Sequence, residues 1–193
     1  MQVVNVLRAL FAHLDTCGIS YMVGGSFASG AWGEPRHTND LDIVAEMSYE
    51  QANCLVQHAE PSFLVGRQEL EHAVSQYGED ASFQMLHIAA FFKVDVFVLP
   101  QTAFAQSSFA RRVSIEIVPG LAADCTSPED TVLQKLRWYA PGNRVSDRQW
   151  HDVVKILEIQ HGRLDGDYLD KWAAELGLSE LLADALAEAW LGS

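Results

Sequence analysis

The chain has 193 residues, 49% of them apolar, and sets 26 acidic side chains against 13 basic ones for a formal net charge of −13. This composition supports one substantial core, with room for a smaller appended lobe, and argues against disorder. The acidity opposes broad binding to a phosphate backbone, while leaving open a local basic groove, a cationic substrate or a basic protein partner. No apolar run approaches the ~20 residues of a membrane helix. Met1 to Leu14 has helical apolar spacing and lacks a basic start followed by a small-residue cleavage site, so a cytoplasmic protein with no membrane partner is expected. Cys17, Cys54 and Cys125 form no CxxC pair. Their spacing predicts free, partly buried thiols rather than a zinc knuckle or a disulfide framework.

In chain order, Val3, Val4, Leu7, Leu10, Phe11 and Leu14 fall on one helical face, which Gly18 ends. Ile19 to Val23 has the length of a strand. It breaks at Gly24-Gly25-Ser26 into a helix over Phe27 to Trp32, and Leu41 to Val44 is the next strand. Ser48 and Gln51 make a capping box for a helix reaching about Gln57. A strand at Phe63 to Val65, a helix from Glu69 to Tyr77, and strands at Phe83 to His87 and Phe91 to Leu99 follow. Ser127-Pro128-Glu129-Asp130 is a strong helix start: a hydroxyl cap, proline at the first position, and acids at the positive end of the dipole. Three more helical stripes run through Trp150 to Leu157, Tyr168 to Leu176 and Leu181 to Trp190. The order predicts an α+β fold: a mixed β-sheet flanked by helices over residues 1–125, with a C-terminal helical lobe packed on it over 126–193.

The chemistry concentrates in Gly24-Gly25-Ser26, then thirteen residues, then Asp40-Leu41-Asp42. On a strand, Asp40 and Asp42 project the same way, about 7 Å apart. Carboxylates held side by side repel unless a cation lies between them, and magnesium favours such hard oxygen ligands. Gly24 and Gly25 let the backbone approach a ligand, and the following helix start with Ser26 offers donors to a phosphate. Asp95 is a lone acid inside the β-forming run Lys93 to Val98, and a buried acid without a partner is costly.

Taken together, Gly24-Gly25-Ser26, then Arg36-x-Thr38-x-Asp40-Leu41-Asp42-Ile43, with Asp95 on a later strand, resemble the DNA polymerase β-type nucleotidyltransferase superfamily. Ser127-Pro128-Glu129-Asp130, Lys135-Leu136 and Asp152 narrow the likeness to AbiEii-type and related uncharacterised bacterial nucleotidyltransferase-like proteins. The resemblance implies the nucleotidyltransferase fold and transfer of a nucleoside monophosphate from NTP to an acceptor hydroxyl. It implies two magnesium ions, with manganese as a substitute, on Asp40, Asp42 and Asp95. It also implies phosphate binding by Gly24, Gly25 and Ser26, with Arg36, Lys135 and Asp152 as further nucleotide-binding candidates. The acceptor stays open among RNA, protein and small molecule. A toxin–antitoxin component is one reading. An antibiotic-type small-molecule transferase and a non-catalytic antitoxin-like binding module are the alternatives. For Lys135 and Asp152, the plain alternatives are solvated helix residues or a mutual ion pair. The Arg144 and His151 spacing is also found in helical RNases, and it arises often by chance.

Overall fold

The computed structural model describes residues 2–76, 78, 81–140 and 147–191. The chain forms two compact units, Met1–Gly24 with Thr38–Cys125, and Gly25–His37 with Thr126–Ser193. This differs from a single break near residue 125, because segment 25–37 belongs with the second unit. Arg144, from the RNase-like spacing, lies outside the described residues, as does Tyr77 at the expected end of its helix.

The first unit begins with α1 (Gln2–Thr16) and β1 (Ser20–Val23) and resumes with β2 (Asp40–Glu46), α3 (Tyr49–Ala59) and β3 (Phe63–Val65). The α2 label belongs to Gly25–Trp32 of the second unit. Then come α4 (Arg67–Gln76), β4 (Ser82–His87), β5 (Phe92–Val98), α5 (Ala103–Ala110), β6 (Val113–Val118) and β7 (Leu121–Cys125). The strands form one seven-stranded sheet in the order β3-β4-β5-β2-β1-β7-β6. β2 runs parallel to β5 and β1 parallel to β7, while the other neighbours are antiparallel. The sheet is therefore mixed, as expected.

Alternation explains why β2 and β5 lie at its centre. Leu41, Ile43 and Ala45 of β2, with Val94, Val96 and Val98 of β5, are almost wholly buried, and the residues between them are half-buried. One face is thus continuous core, reinforced by Leu7, Leu10 and Leu14 of α1 and Leu55 of α3, all fully buried. On the other face, Val44 packs with Met22, Leu99, Ala105 and Phe109, so α5 covers that end of β2. The capping box of α3 forms as read: the Gln51 N–H donates to Ser48 Oγ, and the Ser48 N–H donates to Gln51 Oε1.

Three elements have no counterpart in the sequence reading: α5, β6 and β7. Ala-Phe-Ala-Gln-Ser-Ser-Phe-Ala places no apolar stripe at helical spacing, and Leu-Ala-Ala-Asp-Cys contains no β-branched residue. β7 is a strand because it pairs with β1 and β6, not because of its local preference. The expectation of free thiols also fails for two cysteines. Cys17 and Cys54 are joined as a disulfide, and Cys125 alone is free and buried. Wide spacing in the chain excluded nothing here, because contact between α1 and α3 brings the end of one helix to the middle of the other.

The second unit contains α2 (Gly25–Trp32), α6 (Pro128–Tyr139), α7 (Asp147–Ile159), α8 (Gly166–Glu175) and α9 (Ser179–Leu191). Ser127 caps α6 by accepting from the Asp130 N–H, with Pro128 in the first turn. Buried Asp130 in turn accepts from Ser127 Oγ at 2.7 Å and from Tyr168 Oη at 2.8 Å. Gly33 closes α2 against α7: a Cβ there would lie 3.1 Å from Ile156 Cγ1 and 3.1 Å from the Ser29 carbonyl. No helix among the described residues is long and apolar enough to cross a membrane.

Candidate functional site

Two sets of polar side chains emerge, one in each unit. In the first unit the parallel ladder aligns Asp42 with Asp95 and Asp40 with Lys93. Aligned residues on neighbouring strands project from the same face, and so do residues two apart on one strand. Asp40, Asp42, Lys93 and Asp95 therefore form a two-by-two patch on the face opposite Leu41, Ile43, Val94 and Val96. Adjacent strands lie about 4.8 Å apart and alternate residues about 7 Å apart, which sets the size of the patch.

Lys93 is the cation within the patch. Its Nζ lies 2.7 Å from Asp95 Oδ2. The hydrogen bond to Asp95 raises its pKa above the ordinary lysine value. Burial opposes this, and the charges of Asp95, Asp40 and Asp42 add to it. Asp40 is held from below by Thr38, whose hydroxyl donates to Asp40 Oδ1. The Gly24 N–H donates to the Asp42 carbonyl at 2.9 Å, which fastens the end of β1 beside the middle acid. The donors are hard oxygens of one sign, a set suited to a hard divalent ion. They are spread rather than clenched. Among the described residues, the one group of three metal-type ligands lying within 4.8 Å of one another is Cys17, Cys54 and His58.

The second set is centred on Asp152 of α7, which is 6% exposed. Its Oδ2 accepts from Lys135 Nζ at 2.8 Å, Ser29 Oγ at 3.2 Å and Arg36 Nη2 at 3.4 Å. Lys135 is 5% exposed and also donates to Gln149 Oε1 at 2.9 Å. Burial alone would raise the Asp152 pKa. The Lys135 hydrogen bond and charge, together with those of Arg36, outweigh it and hold the carboxyl below the ordinary value. Arg36 is more open, with 33% of its side chain exposed. Its Nη2 also donates to Ser26 Oγ at 2.5 Å. Ser26 thus accepts from a guanidinium, which polarises its own O–H as a donor. Gly25, at the first position of α2, has φ +55°, a conformation that favours glycine.

The aspartates named from the sequence therefore share one sheet face, and Ser26, Arg36, Lys135 and Asp152 share one network. Lys135 and Asp152 are a mutual ion pair at 2.8 Å, and they are buried rather than solvated. The sequence reading assigned no role to Lys93, Thr38, Ser29 or Gln149. Lys93 carried a signal, since it stands two residues before Asp95 just as Asp40 stands two before Asp42. Ser29, three residues after Ser26, carried a weaker one.

No family model and no curated protein matches this chain. Solved structures do. The solution structure of the antibiotic-resistance factor ANT(2'')-Ia matches over 99% of this chain and 94% of that one, at 15% identity and a TM-score of 0.58. The crystal structure of ANT(2'')-Ia in complex with adenylyl-2''-tobramycin matches over 92% of this chain and 98% of that one, at 14% identity and a TM-score of 0.61. The fold is that of a nucleotidyltransferase. An antigenic nucleotidyltransferase-like protein from Paracoccidioides brasiliensis, 17% identical over 95% of this chain and 91% of its own, has a TM-score of 0.53.

Proposed function

We propose that this chain is a magnesium-dependent nucleotidyltransferase that moves a nucleoside monophosphate from an NTP to an acceptor hydroxyl. The observation that carries the proposal is the alignment of Asp42 with Asp95 across the β2–β5 ladder, with Asp40 on the same face. Asp40, Asp42 and Asp95 would hold the ion or ions. Magnesium, or manganese in its place, would supply neutralisation of the charge that builds on the phosphoryl oxygens and the leaving group.

The chain's own residues have separable tasks. Ser26 and Arg36 donate to phosphate oxygens, and Gly24 and Gly25 keep the turn free of side chains. Asp152 holds Arg36 in place. Its negative charge is balanced by Lys135, so Arg36 keeps its attraction for an anion. In this reading Lys135 supports the cradle from within the unit instead of touching phosphate itself. Asp95 takes the proton of the acceptor hydroxyl, and Lys93 moves off Asp95 to leave that oxygen available.

For the acceptor we favour a cationic small molecule. A net charge of −13 attracts such a substrate and repels RNA at long range. The matched ANT(2'')-Ia structure holds adenylyl-2''-tobramycin. A toxin–antitoxin role with an RNA or protein acceptor, and an antitoxin-like binding module without turnover, are the competing readings. Labelled NTPs with magnesium, offered an aminoglycoside panel, total RNA and cell extract in parallel, distinguish them. Label on the aminoglycoside supports the proposal, and label on RNA or protein alone ends the small-molecule reading. No label anywhere, with tight capture of a partner protein, ends the enzymatic one. By titration calorimetry, Mg-NTP binding is expected to weaken at least about tenfold in Asp40→Asn with Asp42→Asn, and unchanged binding would sink the metal-site claim.

A further inference from the structure

Away from the aspartate patch, α1 and α3 bring three soft ligands together. Cys17 follows the last turn of α1, and Cys54 and His58 lie one turn apart on α3. His58 Nδ1 lies 3.8 Å from Cys17 Sγ and 3.5 Å from Cys54 Sγ. A tetrahedral zinc ion with bonds of about 2.3 Å to sulfur and about 2.05 Å to nitrogen sets its sulfur and nitrogen ligands roughly 3.5 Å apart. Both nitrogen–sulfur edges of such a site are therefore already close to length, and metal binding requires Nδ1 to give up its contact with the Cys54 carbonyl, 2.9 Å away. His13 lies one turn before Cys17, and its carbonyl accepts the Cys17 N–H at 3.1 Å. His13 and Cys17 at the end of α1, and Cys54 and His58 on α3, share the four-residue spacing in opposite order.

The geometry points to a second metal centre: in the reduced protein, Cys17, Cys54 and His58 bind one zinc-type ion, and the Cys17–Cys54 disulfide is the oxidised form of the same site. A fourth position remains for water. A dithiol reductant converts the sulfur–sulfur bond to two thiols and is itself oxidised to a disulfide. Ion binding then releases the two thiol protons, because thiolates are the ligands. Soft thiolates with an imidazole select zinc over magnesium, so the centre differs in kind from the all-carboxylate patch.

Cobalt is the probe, added to the full-length protein in excess magnesium so that carboxylate sites are occupied. The reduced wild type is expected to bind one equivalent, with thiolate-to-cobalt charge-transfer absorption that zinc displaces. The disulfide form is expected to show no such absorption. Cys54→Ser weakens the band, Cys17→Ser with Cys54→Ser loses it although Cys125 remains, and His58→Ala weakens binding about tenfold or more. Circular dichroism checks that each variant is folded, and the reduced-against-oxidised comparison needs no variant at all. No thiolate band in the reduced wild type, or an equal band in Cys17→Ser with Cys54→Ser, overturns the proposal. Neither result depends on transferase activity, so this centre and the proposed function fail separately.

Discussion

At the scale of single residues, Lys93 reveals most about the acidic patch. Three carboxylates on one strand pair repel one another, and an ammonium 2.7 Å from Asp95 offsets part of that repulsion. Lys93→Met is therefore expected to lower the melting temperature by a few degrees in EDTA. The loss should shrink in saturating magnesium, where the ion takes over the neutralisation. Differential scanning calorimetry at both conditions decides this, and an equal loss in each would show that Lys93 is not a counterion to these acids. Because the folded pKa of Lys93 is raised, its contribution is complete below the unfolded lysine value of about 10.4 and disappears as the pH climbs through the folded value. Ser26 belongs to this scale too. Ser26→Ala removes the hydroxyl that Arg36 polarises, and under the proposed function it raises KM for NTP with little change in melting temperature.

Among elements, α6, α7 and α2 are tied together by one carboxylate. Asp152 accepts from one side chain on each of α6 and α2 and from Arg36 in the loop after α2. Asp152→Asn removes the carboxylate charge 2.8 Å from the buried Lys135 ammonium, and breaking a buried pair from one side costs about 3–5 kcal/mol. Lys135→Met combined with Asp152→Leu removes both charges and should recover most of that stability, by urea unfolding. Activity should not recover in the double variant, because Arg36 would still lack its anchor. Recovery of both would reduce the network to packing alone. The sequence anticipated the three helices and offered the Lys135–Asp152 pair as one alternative, but not that Ser29 and Arg36 share the same carboxylate oxygen. Periodicity locates faces, but it does not say which polar groups on two faces will meet.

For the whole molecule, charge and pH act together. At neutral pH the charge of −13 works against the compact state, and added salt is expected to raise the melting temperature at pH 7 by screening it. Acidification toward the isoelectric point of about 4.8 reduces the repulsion. Further acid acts in the opposite direction. The folded pKa of Asp152 lies below its unfolded value, so its stabilisation is complete above about pH 4 and is lost as the pH falls through the folded value. A stability maximum in mild acid follows, with an acid limb that is shallower in Asp152→Asn. Melting curves across pH 3–8 for both proteins test this, and parallel acid limbs would contradict it.

Local sequence determined the strands whose apolar residues alternate, the capped helices at Ser48 and Ser127, and the common side of Asp40 and Asp42. Each follows from a period or a cap within a few residues. Tertiary structure alone decided that Asp95 stands beside Asp42, since register across a parallel ladder joins residues 53 positions apart. It also made β7 a strand, turned Lys135 and Asp152 into partners, and brought Cys17 to Cys54 and His58. The division has one physical cause: backbone preference and side-chain period act over a single turn or pleat, whereas ladder pairing and helix contact depend on where the rest of the chain has gone.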